Sequence, residues 1–395
     1  MWQKIKNKYH LLIAIVANII FLFPSRGMRV IAVTGTDGKT TTVNLIYHIL
    51  KTAGYRVSMI SSVGATIDDK NYDTGFHVTT PSSFLLQKFL KKAKDAKTQF
   101  FVLEVTSHAI DQNRIFGIKF DIAVLTNVTK EHLDYHKDFK NYLNTKAKLL
   151  KLAKFCVINR DDKSYDYLSG IKNYGNNLKT FGLSKNSDVN PLNFNLDNFD
   201  FIGDFNKYNI WAATSVARVL GLRDENIKKA LKNFKMPVGR ANYVYKKDFS
   251  VMIDFAHTSN AFEKILSSVR PIVKAKIIHV FGSAGERDKE KRPFLGKISS
   301  KYSDIIILTA EDPRSENVKT IVSEIDAGIQ KNKSKVIKIL DRKEAINKAI
   351  QMARKGDLVL ITGKAQEASM NLGNGEVPWD EFEVVKDVLN NIKIN

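Results

Sequence analysis

A single cysteine, Cys156, stands in a chain of 395 residues. No disulfide framework can therefore staple the fold, and the reducing cytoplasm is the expected compartment. The thiol lies in the apolar run Phe155-Cys156-Val157-Ile158, the setting of a buried strand residue. Proline is scarce, at 8 residues, and no low-complexity tract or short repeat period interrupts the chain, which excludes collagenous, solenoid and largely disordered architectures. Long hydrophobic runs are also missing. Leu11 to Phe23 comes nearest, but as a helix it would span about 20 Å, short of the roughly 30 Å hydrocarbon core of a bilayer, and Asn18 interrupts it. Lys4, Lys6 and Lys8 precede the run, while Pro24-Ser25-Arg26 follows it where a cleaved leader would carry small residues. A helix packed on the next domain is expected here, with interfacial membrane contact as the alternative. Negative charge is in deficit: 62 Lys and Arg against 41 Asp and Glu leave a formal charge of +21. Nucleotide phosphates, nucleic acid or an anionic membrane surface would each answer it. Most of the basic residues are scattered lysines rather than arginine blocks interleaved with aromatics, which weighs against nucleic acid.

What the chain does contain is 44% apolar and 26% charged sequence, enough at this length for two cores, or three if each is small. Short apolar runs begin at Val30-Ile31-Ala32-Val33 and recur at Val57-Ser58-Met59-Ile60, Phe100-Phe101-Val102-Leu103 and Ile122-Ala123-Val124-Leu125. Uninterrupted β-branched runs of this length suit strands buried on both faces of a parallel sheet. Thr41 to Ala53 and Ser82 to Lys94 have helical composition, so the alternation predicts a layered α/β domain. A break falls near Met236-Pro237-Val238-Gly239, after the helix-like segment Asp224 to Phe234. A second series follows, with strands expected at Val251 to Ile253, Ile277 to Phe281, Ile305 to Leu308, Val336 to Leu340 and Leu358 to Ile361. The expected division is a helix and linker over 1–27, a central domain over 28–237 and a C-terminal domain over 238–395. The fold class is α/β, with a parallel-rich phosphate-loop domain and a Rossmann-like C-terminal domain. Ligands in such sheets sit beyond the carboxyl ends of the strands.

Val33 runs into Thr34-Gly35-Thr36-Asp37-Gly38-Lys39-Thr40-Thr41 and then a helix. Glycines let backbone N–H groups close around phosphate oxygens, the helix start adds positive potential, a lysine neutralises phosphate, and a threonine hydroxyl can bind Mg²⁺. Gly35, Thr36, Asp37, Gly38, Lys39, Thr40 and Thr41 are thus candidates for binding ATP, with Thr40 also a metal candidate. The strict G-x-x-x-x-G-K-[ST] pattern is not met, because Val33 stands where its first glycine would be.

At this loop the sequence resembles the Mur ligases, specifically those that add the third residue to UDP-N-acetylmuramoyl-dipeptide, and the likeness extends over nearly the whole chain from about residue 20. Phe23-Pro24-Ser25 looks like the end of that family's first domain. The resemblance implies an ATP-dependent, ADP-forming amide ligase of peptidoglycan synthesis, with a muramoyl-peptide and a free amino acid as its partners. Taken alone, Glu104 suits Mg²⁺, which binds through one or two protein groups plus waters and phosphate oxygens, and His132 is an ordinary loop histidine. Family members use the matching Glu and His at their metal sites, and two Mg²⁺ ions are implied. Lys146 by itself reads as a solvated helix lysine. It matches the lysine that the family carbamylates, and a carbamate there would accompany the second Mg²⁺.

The remaining candidates follow the same comparison. Thr79-Thr80-Pro81, otherwise a helix-start signal, and the segment Ser107 to Arg114 resemble the muramoyl-peptide contacts, with Thr79, Thr80, Ser107, Gln112 and Arg114 at matching positions. Asn206 and Asn209 fit the family's G-x-x-N-x-x-N nucleotide segment, which would otherwise be an amide-rich helix cap. Arg240 after Gly239 and Asp254 complete the catalytic set, and closure of the C-terminal domain is expected to bring in Arg240 and exclude water. Glu311-Asp312-Pro313-Arg314 resembles the D-N-P-R signature of members that add meso-diaminopimelate. A guanidinium holds a carboxylate bidentately, so Arg314 would select the distal carboxylate of that amino acid over lysine. Arg287, Gly363 and Glu367 match further amino-acid contacts, Glu367 facing the substrate ammonium. Asp312 puts a negative charge beside the carboxylate site, and Arg314 could instead pair with Asp312 or Glu316.

Full-length family members carry a uridine-diphosphate-binding domain ahead of the phosphate loop, and only 33 residues precede Thr34 of the loop here. The acceptor would then be held by its muramoyl-peptide end alone, or with a partner's surface, or would not be a UDP-sugar. A folylpolyglutamate-synthetase-like ligase and a non-catalytic nucleotide-binding subunit are the competing readings.

Overall fold

Each short β-branched run becomes a strand, and burial of both sheet faces explains why these runs are so apolar. The computed structural model describes residues 2–75, 79–129, 131, 133–171, 174–197, 199, 201–330 and 332–391. The chain divides into two units, Met1–Lys235 and Met236–Asn395.

In the first unit the strands are β1 (Arg29–Thr34), β2 (Val57–Ser61), β3 (Gly64–Ile67), β4 (Lys70–Tyr72), β5 (Phe100–Glu104), β6 (Phe120–Leu125), β7 (Ala153–Asn159) and β8 (Leu178–Phe181). They form one sheet in the order β4-β3-β2-β5-β1-β6-β7-β8. Six are parallel, and β3 and β4 are an antiparallel edge. Both faces are covered. Val30 and Ala32 of β1 point into one apolar core, and Ile31 and Val33 into the other, so a strand with two buried faces has no room for polar alternation. Register sets Val33 opposite Glu104 and Thr34 opposite Leu125, which aligns the carboxyl ends of β5, β1 and β6. Cys156 is fully buried on β7.

The first helix, Trp2–Ile20, starts well before the apolar run. It packs on the helix Ser83–Asp95, turning Ala14, Ala17 and Asn18 inward. Asn18 anchors it, its Nδ2 donating to the carbonyls of Ala14 and Phe116, each at 2.8 Å. No helix among the described residues is long and apolar enough to cross a membrane.

The second unit holds β9 (Asn242–Lys246), β10 (Ser250–Asp254), β11 (Ile277–Phe281), β12 (Ile305–Leu308), β13 (Lys335–Lys338) and β14 (Leu358–Thr362), in the order β13-β12-β11-β14-β10-β9, with a small hairpin of β15 (Ser369–Asn371) and β16 (Glu376–Pro378). Only β9 runs antiparallel in the larger sheet. Arg342, buried and ion-paired with buried Glu381, also donates to Ala310 O (3.1 Å) and Thr362 O (2.8 Å). It thereby ties together the segments leaving β12 and β14, where the amino-acid candidates lie.

Candidate active site

β1 ends at Thr34, and the chain turns through Gly35 (φ +151°) and Gly38 (φ +82°) into the helix Lys39–Thr52. Both glycines are required by close approach. A Cβ on Gly35 would lie 1.9 Å from Thr126 Oγ1, and one on Gly38 would lie 2.2 Å from Asn209 Oδ1. The loop is braced from β6: Thr126 Oγ1 and Asn127 Nδ2 donate to Asp37 O at 2.6 and 3.0 Å, and Asp37 N donates to Asn127 Oδ1 at 3.1 Å. No side chain caps the helix start, and a helix N-terminus of this kind offers its N–H groups and positive dipole end to an anion. Lys39 Nζ donates to Thr36 O at 2.8 Å, lying across its own loop. Asn206 and Asn209, on the helix Asp204–Val219, are buried and bonded to each other at 3.1 Å. They form the floor beneath Gly38.

Behind the loop sit an acid and an amine. Glu104 is buried at the end of β5, accepting Thr40 Oγ1 (3.0 Å to Oε2) and the N–H of Ser62 (3.0 Å). A carboxylate beside a phosphate loop, with hydroxyls around it, is an oxygen donor set suited to a hard cation. Among the described residues no cluster of three or more His, Cys, Asp or Glu gathers, so a Mg²⁺ held by Thr40 and Glu104 would complete its shell from phosphate oxygens and water. His132 lies outside the described residues. Lys146 is not a solvated helix lysine: it is 1% exposed, Nζ donating to Gly35 O at 2.7 Å and lying 4.4 Å from the Tyr142 ring centroid. Burial, reinforced by the positive charge of Lys39, holds its ammonium pKa well below the usual lysine range. The neutral amine so favoured is the form that adds to carbon dioxide.

The acceptor candidates form a second network. Thr80 Oγ1 donates to Glu104 O at 3.0 Å, and Arg114 Nη1 donates to Thr80 O at 2.8 Å. The Arg114 Nε and Nη2 donors both reach Gln112 Oε1, at 3.0 and 2.7 Å. Gln112 Nε2 continues to the Tyr135 hydroxyl, which donates to Asp111 at 2.9 Å, and burial pushes that phenol up to about 12. Ser107 Oγ lies 3.0 Å from His136 Nε2. Thr79 is half-buried beside Thr80.

In the second unit, Asp254 at the end of β10 accepts the N–H of Ala241 (2.8 Å) and of Ala256 (2.7 Å), fixing the turn that carries Arg240. Arg240 lies over the Phe255 ring at 4.7 Å and donates to Gln366 Oε1 at 3.1 Å. Arg314 does not pair with Asp312 or Glu316: its Nη1 donates to Gly285 O at 3.0 Å, and Glu316 is bonded to Arg292. Asp312 pairs instead with the fully buried Lys364 (2.8 Å), which also reaches Glu367 at 2.6 Å, so one cation is shared between two carboxylates beside Arg314. Gly363 (φ +110°) packs on Glu311, whose Oε2 would lie 2.4 Å from an added Cβ. Burial pushes the Glu311 carboxyl up to about 7. Arg287 is exposed on the neighbouring loop.

Residues 33–217 match the Mur ligase middle domain, and residues 239–365 match the Mur ligase glutamate ligase domain. The UDP-N-acetylmuramoyl-L-alanyl-D-glutamate--2,6-diaminopimelate ligase of Aquifex aeolicus is 38% identical over 392 residues, covering 94% of this chain and 80% of that protein. The chain belongs to the Mur ligase family. The enzyme of the same name from Clostridium botulinum is 35% identical over 96% of this chain and 82% of its own length. A solved structure of such a diaminopimelate ligase aligns with TM-score 0.62 at 27% identity, over 92% of this chain and 78% of that one. A Mycobacterium tuberculosis folylpolyglutamate synthase complexed with ADP reaches TM-score 0.71 over 90% of this chain and 92% of that one, but at 16% identity, a likeness of fold alone. Sequence thus separates this Mur ligase from the folate enzymes although the fold does not.

Several residues of this Mur ligase site were missed from sequence. Thr126 and Asn127 open the segment that ends in His132, yet their role as loop braces has no signature of its own. Ser62 and Tyr142 carry none. Lys364, flanked by the expected contacts Gly363 and Glu367, was not singled out either.

Proposed function

We propose that this Mur ligase joins meso-diaminopimelate to a muramoyl-dipeptide, with ATP as co-substrate and an acyl phosphate as intermediate. The observation that carries this reading is a phosphate loop backed by a buried acid, Glu104, and a buried amine, Lys146, whose charged form burial disfavours. The acceptor carboxylate attacks the γ-phosphorus of ATP, and the bond to the ADP oxygen breaks. The diaminopimelate amine then attacks the acyl carbon, loses its proton, and phosphate departs with the C–O electron pair. Such transfer relies on positioning and charge neutralisation. Lys39 would exchange Thr36 O for phosphate oxygens, above the floor made by Asn206 and Asn209. Thr40, Glu104 and His132 would hold Mg²⁺, which offsets the charge gathered by carboxylate and triphosphate. Lys146, carbamylated, would become a second anionic metal partner. Thr79, Thr80, Ser107, Gln112 and Arg114 would present the muramoyl-peptide, and Arg287, Arg314, Gly363 and Glu367 the amino acid, Arg314 taking the distal carboxylate.

The experiment is ADP release with UDP-N-acetylmuramoyl-L-alanyl-D-glutamate, comparing diaminopimelate with lysine, in wild type and Arg314→Ala. Wild type should prefer diaminopimelate, and the substitution should remove that preference with little change in the KM for ATP. Equal or better use of lysine by the wild type would refute the amino-acid assignment, and absence of acceptor-dependent ADP release would refute the whole.

A further inference from the structure

The helix Trp2–Ile20 meets the acceptor network only near its start, where Gln3 donates to the Tyr135 hydroxyl (2.8 Å) and Asn7 to Asp111 (3.0 Å), and further along its faces are reversed for a helix in water. The side turned to the protein carries Ala14, Ala17 and Asn18. The side turned away carries Tyr9, Leu12, Ile15, Val16, Ile19 and Ile20, at helical spacing, with Leu12 59%, Ile19 58% and the following Leu22 73% exposed. Surface helices ordinarily bury the apolar stripe and expose the polar one. The stripe widens onto neighbouring elements: exposed Phe84 meets the Phe21 ring edge-on at 5.0 Å, and exposed Phe116 offers its carbonyl to Asn18. A contiguous exposed apolar ridge of this kind marks a binding surface.

Charge selects the occupant. None of residues 1–36 is acidic, while Lys4, Lys6, Lys8, Arg26 and Arg29 are basic. The partner helix Ser83–Asp95 adds Lys88, Lys91, Lys92 and Lys94 against a single acid, Asp95. Exposed Lys88 follows Phe84 by one helical turn and so shares its face. A second copy of this face would meet like charge, whereas an anionic bilayer offers both a hydrocarbon boundary for the stripe and headgroups for the lysines. At about 1.5 Å per residue the helix is roughly 28 Å long, and it does not qualify as a crossing segment. We propose that this face seats the enzyme on an anionic lipid bilayer, the helix lying in the interface with its apolar stripe beneath the headgroups and the catalytic units on the aqueous side.

The test is flotation of the full chain with vesicles of phosphatidylcholine containing phosphatidylglycerol, and with phosphatidylcholine alone. Wild type should float with the anionic vesicles, bind the neutral ones less, and lose binding as salt rises. The double variant Leu12→Glu/Ile19→Glu, altered only at exposed positions, should bind anionic vesicles at least about tenfold more weakly. It should keep the wild-type circular dichroism spectrum and the wild-type turnover of water-soluble substrates. Failure of the wild type to float, or equal flotation of wild type and variant, overturns the proposal. So does a wild-type dimer in solution that the same two substitutions dissociate, which would assign the face to a second copy. A third variant, Lys6→Gln/Lys8→Gln, should weaken binding to anionic vesicles alone; equal loss on neutral ones would refute the electrostatic part.

Discussion

Substituting Lys364 by methionine isolates the charge balance of the amino-acid site. Its ammonium, on a side chain with no exposure, lies 2.8 and 2.9 Å from the two Asp312 oxygens and 2.6 Å from Glu367. The Asp312 side chain is 7% and that of Glu367 18% exposed, so solvent screens neither carboxylate well once the cation is gone. Removing one partner of a buried pair costs about 3–5 kcal/mol, a large part of a domain stability of about 5–15 kcal/mol. Asp312→Asn alone leaves Lys364 facing Glu367 and keeps an acceptor for the Asn371 N–H, now 2.9 Å from Asp312; the expected cost is about 1–3 kcal/mol. In the double variant the strongest uncompensated charge is gone, so its destabilisation should fall short of the sum of the singles by about 2 kcal/mol. Two units rule out a single unfolding transition as the readout. Native-state hydrogen exchange of the β14 amides, Leu358–Thr362, reports on the strand that leads directly into Gly363 and Lys364. Single-variant costs that add to within about 0.5 kcal/mol, or a Lys364→Met cost below about 1 kcal/mol, would show that the three side chains do not act as one coupled cluster.

Lys39→Ala should lower turnover by at least about a hundredfold while leaving the thermal transition near wild type, because the side chain meets only a backbone carbonyl; a folded variant with most of its activity would remove Lys39 from phosphate binding. Lys146→Ala should be nearly inactive and partly restored by short carboxylic acids, read as turnover against acid concentration; full activity of the plain variant would rule out a carbamate. Burial raises the Glu311 carboxyl from 4.5 to about 7, so between those pH values the folded state binds the extra proton. Its contribution is present below pH 4.5 and lost as pH rises to about 7, amounting to about 3 kcal/mol. Glu311→Gln should lack that decline in the stability of β12, Ile305–Leu308, read by native-state hydrogen exchange across this range, and parallel curves for the two proteins would contradict the buried-acid reading.

The parallel strands were legible because a strand with two covered faces is apolar along its buried middle, as residues 30–33 of β1, 100–103 of β5 and 122–125 of β6 are. The loop after β1 was legible because only glycines can approach Thr126 and Asn209 so closely. The β3–β4 edge was not, since its two-residue turn is Asp68-Asp69, both at positive φ, where the recognisable hairpin signal is Asn-Gly or Asp-Gly. Lys146 was misread by composition alone: the helix Phe139–Leu152 carries Lys140, Lys146, Lys148 and Lys151, and nothing in their spacing says which of them the sheet will bury. The family likeness singled it out where periodicity could not. The pairing of Asp312 with Lys364 joins positions 52 residues apart in sequence, a distance over which local pattern carries no information.

The floor beneath Gly38 makes the order of synthesis matter to nucleotide binding. Every residue of the loop itself has been made once Thr41 is added, yet Asn209, whose amide oxygen accepts from Thr42 at 3.4 Å and underlies the Gly38 turn, comes from a helix that starts at Asp204. A nascent chain therefore carries a complete phosphate-loop sequence long before it carries the support that holds the loop in shape. ATP capture should arise late in translation and abruptly, when Asp204–Val219 docks onto the finished sheet, so that an immature ligase has no means of drawing on the cell's ATP.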